Sequence, residues 1–325
     1  MNYMTIGIVI AAAFIVSVIL TYLEIPILRR AGQNIREEGP KSHYSKAGTP
    51  SMGGIAIIIG TIIGCIIGGV VGIAHGAGML ADLSAAILVF VLFGLIGFFD
   101  DYLKVVKKNN LGLRAYQKFG LQIIISVAFA VYMAYFSGDG TSVWIPFVNM
   151  NLDFGVWYVP FIAFVLLAMT NAVNLTDGLD GLASGVTILV SLFFAIAAVT
   201  YNSSLGGGIF CAALVGGCLG FLVFNKNPAK VFMGDTGSLA LGGGLAAAAI
   251  VMHLELLLPI AGFVYVLEAL SVIIQVVSFK TTGKRVFKMA PIHHHFELCG
   301  MTEKKVVALF WGMALVCCVI GLVII

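Results

Sequence analysis

The chain has 325 residues, of which 60% are hydrophobic and only 10% charged, with 39 glycines and a formal net charge of +3. Soluble domains carry about 25% charged residues, so composition excludes a soluble globular enzyme. No polar stretch is long enough for a separate soluble domain, and the net charge gives no reason to expect a nucleic-acid partner.

Apolar runs near 4–23, 52–73, 83–99, 119–137, 157–173, 183–200, 208–224, 236–253, 256–278 and 306–325 are each long enough to cross hydrocarbon about 30 Å thick. They predict an all-α, polytopic membrane protein of about ten helices, with residues 1–325 forming one transmembrane domain. The first run lacks a basic start and a small-residue cleavage site, so it reads as a retained helix and not a signal peptide. Abundant glycine inside the runs suits closely packed membrane helices. Around Val143–Phe154 the pattern allows a short hairpin, and Glu255 with Pro259 predicts a broken or tilted start to the ninth span. Cys65, Cys211, Cys218, Cys317 and Cys318 lie in apolar runs and Cys299 in a polar loop; their spacing suggests neither a zinc site nor disulfides.

The connections fall into two alternating sets. Segments near 24–51, 100–118, 174–182, 225–235 and 279–305 hold all 18 Lys and Arg. Both termini and the remaining segments hold acids but no Lys or Arg. Basic residues stay on the cytoplasmic side, so five loops are expected inside and both termini outside.

The basic set also holds the chemistry. The third span ends in Asp100-Asp101, two adjacent carboxylates that repel one another and are costly to desolvate; a solvated helix end would explain them too. The fifth span runs into Asn171-Ala172-Val173-Asn174-Leu175-Thr176-Asp177-Gly178-Leu179-Asp180-Gly181. One helical turn would put Asp177 and Asp180 on the same face. A side-chain turn followed by a cap accounts for one such Asp, but not for two Asn and two Asp in ten residues. Asp235, just before an apolar helix, is either a metal ligand or a plain N-cap. His293, His294 and His295 are placed for phosphate binding as well as for zinc, although consecutive histidines cannot readily all reach one ion. Carboxylates on a dry rim suit Mg²⁺, and Lys or Arg beside them suit phosphates. Together these are the parts of phosphoryl transfer.

Gly39-Pro40-Lys41-Ser42-His43, the run from Lys46 to Gly54, the Asp100-Asp101 pair, Asn174–Gly181, Phe232–Ser238 and Ala290–Leu298 together resemble the polyprenyl-phosphate N-acetylhexosamine-1-phosphate transferases over essentially the whole chain. The first and last of these motifs favour the branch that uses an N-acetylmuramoyl-pentapeptide donor. Two departures are visible: Ser51 where Thr is usual and Met301 where Trp is expected.

The resemblance implies a multi-pass enzyme of the bacterial cytoplasmic membrane whose site faces the cytoplasm. It implies UDP-N-acetylmuramoyl-pentapeptide and undecaprenyl phosphate as substrates, UMP as leaving group, Mg²⁺ as cofactor and a homodimer. It further implies that Asp235 ligates Mg²⁺ and that Asp100 and Asp101 sit by the attacking lipid phosphate. His293, His294 and His295 would lie near the diphosphate and sugar. A phosphate attacking a diphosphate meets strong anion repulsion, and on physical grounds Mg²⁺ with Lys104 or Lys118 is expected to relieve it. Lys46, Ser51, Asn171, Asn174, Asp177, Gly178, Leu179, Asp180, Asn225, Phe232 and Gln275 are the expected nucleotide-binding set, with Phe232 under the uracil. A sibling that transfers N-acetylglucosamine-1-phosphate is the nearest alternative. A transporter is the more distant one, but only Glu268 and Gln275 lie well inside a span, and no inverted repeat is apparent.

Overall fold

The computed structural model describes residues 3–31, 46, 48–72, 77–107, 112–201 and 203–325. The Gly39–His43 motif lies outside the described residues. Among the described residues ten helices are long and apolar enough to cross a membrane. They are α1 (Tyr3–Ala31), α2 (Gly54–Gly72), α3 (Ala77–Lys107), α4 (Ala115–Tyr135), α5 (Tyr158–Thr176), α6 (Leu182–Thr200), α7 (Leu205–Asn225), α8 (Gly234–Val251), α10 (Phe263–Thr282) and α12 (Glu303–Ile324). The described residues also form two short α-helices, α9 (Leu258–Ala261) and α11 (Ile292–Leu298), and a 3-10 turn at Gly155–Trp157.

The expected hairpin is present as β1 (Ser142–Ile145) and β2 (Met150–Asp153), antiparallel with Ser142 opposite Asp153. The ninth span is interrupted as anticipated. Pro259 sits in the first turn of α9, and Gly262 ends α9 and caps α10. All six cysteines are free.

The central helix is α8, almost wholly buried although its mean hydropathy of 1.2 is the lowest of the ten. A helix lined by protein instead of lipid needs small size more than apolarity, and α8 is built mostly from Gly, Ala and Leu. In a bilayer there is no hydrophobic drive between apolar helices, so close van der Waals contact must hold them together. Gly97 of α3 shows how close the approach is: a Cβ there would overlap the Asp235 carbonyl at the start of α8. This contact sets the end of α3, with its two aspartates, directly beside the first turn of α8.

Contacts sort by end of the bundle. Lys46, Asp180, Asn227 and Glu303 meet at the end with the basic loops. At the other end Asp82 meets Ser204, and Asp139 faces His253 at 3.6 Å. Among the described polar contacts the two sets of connections stay apart, as alternating spans require.

Candidate active site

Asp100, Asp101 and Asp235 are buried and converge, with one carboxylate oxygen from each within 4.8 Å of the others. Two ammonium groups enter the cluster. Lys104 Nζ lies 2.6 Å from Asp100 Oδ2, 2.9 Å from Asp235 Oδ2 and 3.4 Å from Asp101 Oδ1. Lys118 Nζ donates to Asp235 Oδ2 at 2.8 Å and stands 4.0 Å from Asp100 Oδ2. Lys104 reaches Asp100 and Asp101 because it follows them by four and three residues on one helix, where such positions share a face.

The three carboxylates are not equivalent. Asp101 Oδ2 accepts from both the backbone N–H and the hydroxyl of Thr236, at 2.9 and 2.8 Å. It therefore satisfies one of the orphan N–H groups at the start of α8. Asp100 uses Oδ1 to accept from Leu113 N at 2.8 Å and turns Oδ2 to the lysines. Asp235 is not the N-cap: Met233 holds that position without a side-chain cap, and Asp235 lies in the first turn. Its Oδ1 accepts from Asn174 Nδ2 at 2.8 Å and its Oδ2 from the two lysines. Gly234 before it has φ of +70°, in the left-handed region that favours glycine, and Ser51 Oγ and the Asp101 carboxylate crowd the place where a Cβ would be.

Asn171 and Asn174 lie a turn apart on α5. Asn174 also donates to Ser238 Oγ at 2.8 Å, whereas Asn171 donates to Gln122 Oε1 and the Leu167 carbonyl. The helix ends at Thr176 with Asp177 as its C-cap, so the expected helical turn through Asp177 and Asp180 does not form. Asp180 points elsewhere: Oδ1 accepts from Lys46 Nζ at 2.7 Å, and Oδ2 accepts from Asn227 Nδ2 and Ala229 N, each at 3.0 Å. Burial lowers the affinity of Lys46 for its proton, but Asp180 and Glu303 outweigh burial and hold the ammonium above its ordinary range. Leu179 is buried.

The structure gives several of the expected nucleotide residues internal work. Asn225 Oδ1 accepts from Gly181 N and Ser184 Oγ, and its Nδ2 donates to the Val231 carbonyl. Gln275 pins the loop after α10, accepting from Val286 N and Phe287 N and donating to the Phe287 carbonyl. Phe232 pairs by its main chain with Pro50 and Gly53, which ties the loop before α8 to the one before α2.

The three histidines begin α11 and diverge. His293 is fully buried with Nδ1 3.0 Å from Glu268 Oε1, an ion-pair distance without a well-aligned hydrogen bond. Its ring fills the space where a Cβ on Gly178 would lie, which places α11 against the Asp177–Asp180 turn. His294 Nδ1 is 2.9 Å from Glu297 Oε2, and His295 Nδ1 accepts from Lys288 N at 3.1 Å. Among the described residues no histidine joins a metal-ligating group.

Sequence reasoning missed Glu303, Asn227 and Thr236, and noted Glu268 only as a residue inside a span. Glu303 reads locally as an ordinary acid in a first helical turn. Only the chain path shows that it faces Lys46.

Residues 83–253 match the model of Glycosyl transferase family 4, and residues 46–58 match the phospho-N-acetylmuramoyl-pentapeptide-transferase signature 1. The chain is 49% identical over 332 aligned residues to the phospho-N-acetylmuramoyl-pentapeptide-transferase of Desulfitobacterium hafniense, covering 96% of this chain and 95% of that one. It is 51% identical over 318 residues to the enzyme of the same name from Bacillus anthracis, with the same coverage. With buried carboxylates and lysines gathered at one end of a ten-span bundle, and likeness running nearly end to end, the chain belongs to the phospho-N-acetylmuramoyl-pentapeptide-transferase family.

Proposed function

We propose that this protein transfers phospho-N-acetylmuramoyl-pentapeptide from its UDP-linked donor to undecaprenyl phosphate, releasing UMP, at the cytoplasmic edge of the bacterial membrane. The observation that carries the reading is the convergence of Asp100, Asp101 and Asp235 on Lys104 and Lys118. One substrate is a charged nucleotide and the other is a lipid held in the bilayer, so their phosphates can meet only at the interface. The partition of Lys and Arg supports a cytosolic position for this end of the bundle.

An oxygen of the lipid phosphate attacks the phosphorus that carries the sugar. The bond from that phosphorus to the bridging oxygen breaks, and UMP leaves with the bond's electron pair. The second pKa of a phosphate monoester is near 6, so the nucleophile is already largely deprotonated at neutral pH and Asp100 chiefly positions it. Lys104 and Lys118 offset the repulsion between two anions. Asn174 and the lysines fix the Asp235 carboxylate, and Asp101 fixes the helix turn that carries it. Lys46, Phe232 and the Asp177–Asp180 turn form the nucleotide side, and the histidine helix closes on that turn at Gly178.

Three carboxylates against two ammonium groups leave an excess formal negative charge, and their oxygens are the hard donors Mg²⁺ prefers. The residues therefore fit Mg²⁺, which Asp235 would ligate and which would supply neutralisation of phosphate charge when bound. A homodimer in the membrane is part of the same reading and rests on the family resemblance. Light scattering of the detergent complex at twice the protein mass would support it.

The test is a turnover assay in detergent with UDP-N-acetylmuramoyl-pentapeptide, undecaprenyl phosphate and Mg²⁺. UMP and a lipid-linked product are expected. Turnover of UDP-N-acetylglucosamine in its place would assign the sibling reaction, and solute flux without UMP release would refute an enzyme.

A further inference from the structure

Four separate chain segments meet at Lys46. Glu303 Oε1 accepts from Lys46 Nζ at 2.6 Å and from Asp180 N at 2.8 Å, and Glu303 Oε2 accepts from Asn227 Nδ2 at 3.0 Å. Asp180 accepts from the same Lys46 and the same Asn227. The result is a closed ring in which two carboxylates share two donors. Three of its members come from loops: Lys46 precedes α2, Asp180 lies in the turn after α5, and Asn227 follows α7. Glu303 alone sits on a spanning helix, in the first turn of α12, where the helix dipole favours its charge.

A lysine side chain is long and carries rotamer entropy that must be lost before it can recognise a ligand in one pose. Two short charge-assisted hydrogen bonds meet that cost before substrate arrives. They use two of the three Lys46 N–H donors, and among the described residues the third has no partner. The Glu303 carboxylate is also joined to the histidine helix by only the few residues between Leu298 and Glu303. One anchor thus ties the nucleotide turn to the element that carries His293.

We infer that Glu303 is a positioning residue for nucleotide recognition, holding Lys46 and the Asp180 turn in the pose that receives the uridine end of the donor. The inference rests on the nucleotide assignment of Lys46 made above. Glu303 touches no reacting atom, so its loss should appear in donor binding and not in the chemical step.

The test compares Glu303→Gln, Glu303→Asp, Lys46→Met and the double variant Lys46→Met/Glu303→Gln in the detergent turnover assay. Lys46→Met is expected to raise the donor KM by tenfold or more. Glu303→Gln is expected to raise the donor KM about tenfold, with kcat and the undecaprenyl phosphate KM within about threefold of the parent. The double variant should fall well short of the product of the two single effects, because Glu303 acts in part through that lysine and in part through its own bonds to Asp180 N and Asn227. With one carboxylate gone, Lys46 loses its proton more easily, so the alkaline rise in donor KM should begin at lower pH in Glu303→Gln. A general packing defect would not move that limb. Glu303→Asp keeps the charge, so its alkaline limb should stay near the parent's, and this comparison remains readable if Glu303→Gln folds poorly. A raised KM in Lys46→Met with an unchanged one in Glu303→Gln overturns the inference alone. An unchanged KM in Lys46→Met overturns the nucleotide assignment beneath it.

Discussion

Replacing Asp235 by asparagine removes one charge while keeping size and shape. The carboxylate now accepts from Asn174 through Oδ1 and from Lys104 and Lys118 through Oδ2, all at 2.8–2.9 Å. An asparagine has a single acceptor oxygen. If it faces the lysines, its amide meets the Asn174 amide donor to donor, so one hydrogen bond is lost and the other two run from an ammonium to a neutral oxygen instead of a carboxylate. Hydrogen bonds to charged groups contribute about 1.5–3 kcal/mol each, so a stability cost of about 2–4 kcal/mol is expected, spread over a bundle that still has Lys104 paired to Asp100 and Asp101. The catalytic cost should be larger in its consequence. Removing one electrostatic contributor from a preorganised site lowers kcat by about 10²–10³-fold. If Asp235 served only as an acid in a first helical turn, its dipole interaction would be worth about 0.3–1 kcal/mol and turnover would be unaffected. The assay is UMP release across a Mg²⁺ titration, with thermal unfolding followed in parallel. A variant that keeps turnover within about threefold of the parent, at the same Mg²⁺ dependence, refutes the assignment.

Asp100→Asn and Asp101→Ala should separate two roles within the adjacent pair. The first should lose turnover with the smaller fall in thermal midpoint, because asparagine still offers Leu113 N an acceptor. The second should lower the midpoint further, because it takes from Thr236 the one oxygen that accepts both its N–H and its hydroxyl, at a cost of about 1–3 kcal/mol; equal stability losses would contradict the division. Direct attack predicts that labelled nucleotide donor given without lipid leaves no phosphate on the protein. A labelled aspartate after acid quench would establish a covalent intermediate instead. Gly178→Ala pushes a methyl into the His293 ring and should lower kcat at least tenfold, while a turnover unchanged from the parent would show that α11 need not touch the turn. Far from the site, burial pushes the Glu255 carboxyl, in the connection after α8, up to about 8 from 4.5. The folded protein then holds a proton that the unfolded chain has released between these values, so this group's contribution falls as pH rises through that window, by up to about 1.4 kcal/mol per unit. Glu255→Gln should flatten the decline in thermal midpoint between pH 5 and 8; an identical slope in both proteins counts against it.

The span count, the hairpin and the broken ninth span were legible because each depends on local pattern: apolar length against bilayer thickness, alternation near Val143, and Pro259 with Glu255. The Lys and Arg partition told which loops share a side, and therefore which aspartates were able to meet. It did not tell how each carboxylate is used. Asp100 and Asp101 look alike as neighbours in sequence, but successive helical positions point about 100° apart, and only the packing of Gly97 on α8 turns Asp101 to Thr236 and Asp100 to the lysines. The same limit explains Asp180, whose partner depends on where α5 stops, and Glu303, which lies more than 250 residues from Lys46. Hydropathy is summed residue by residue along the chain and so survives in the sequence, whereas a hydrogen bond between two loops depends on distances that exist only once the helices between them have packed.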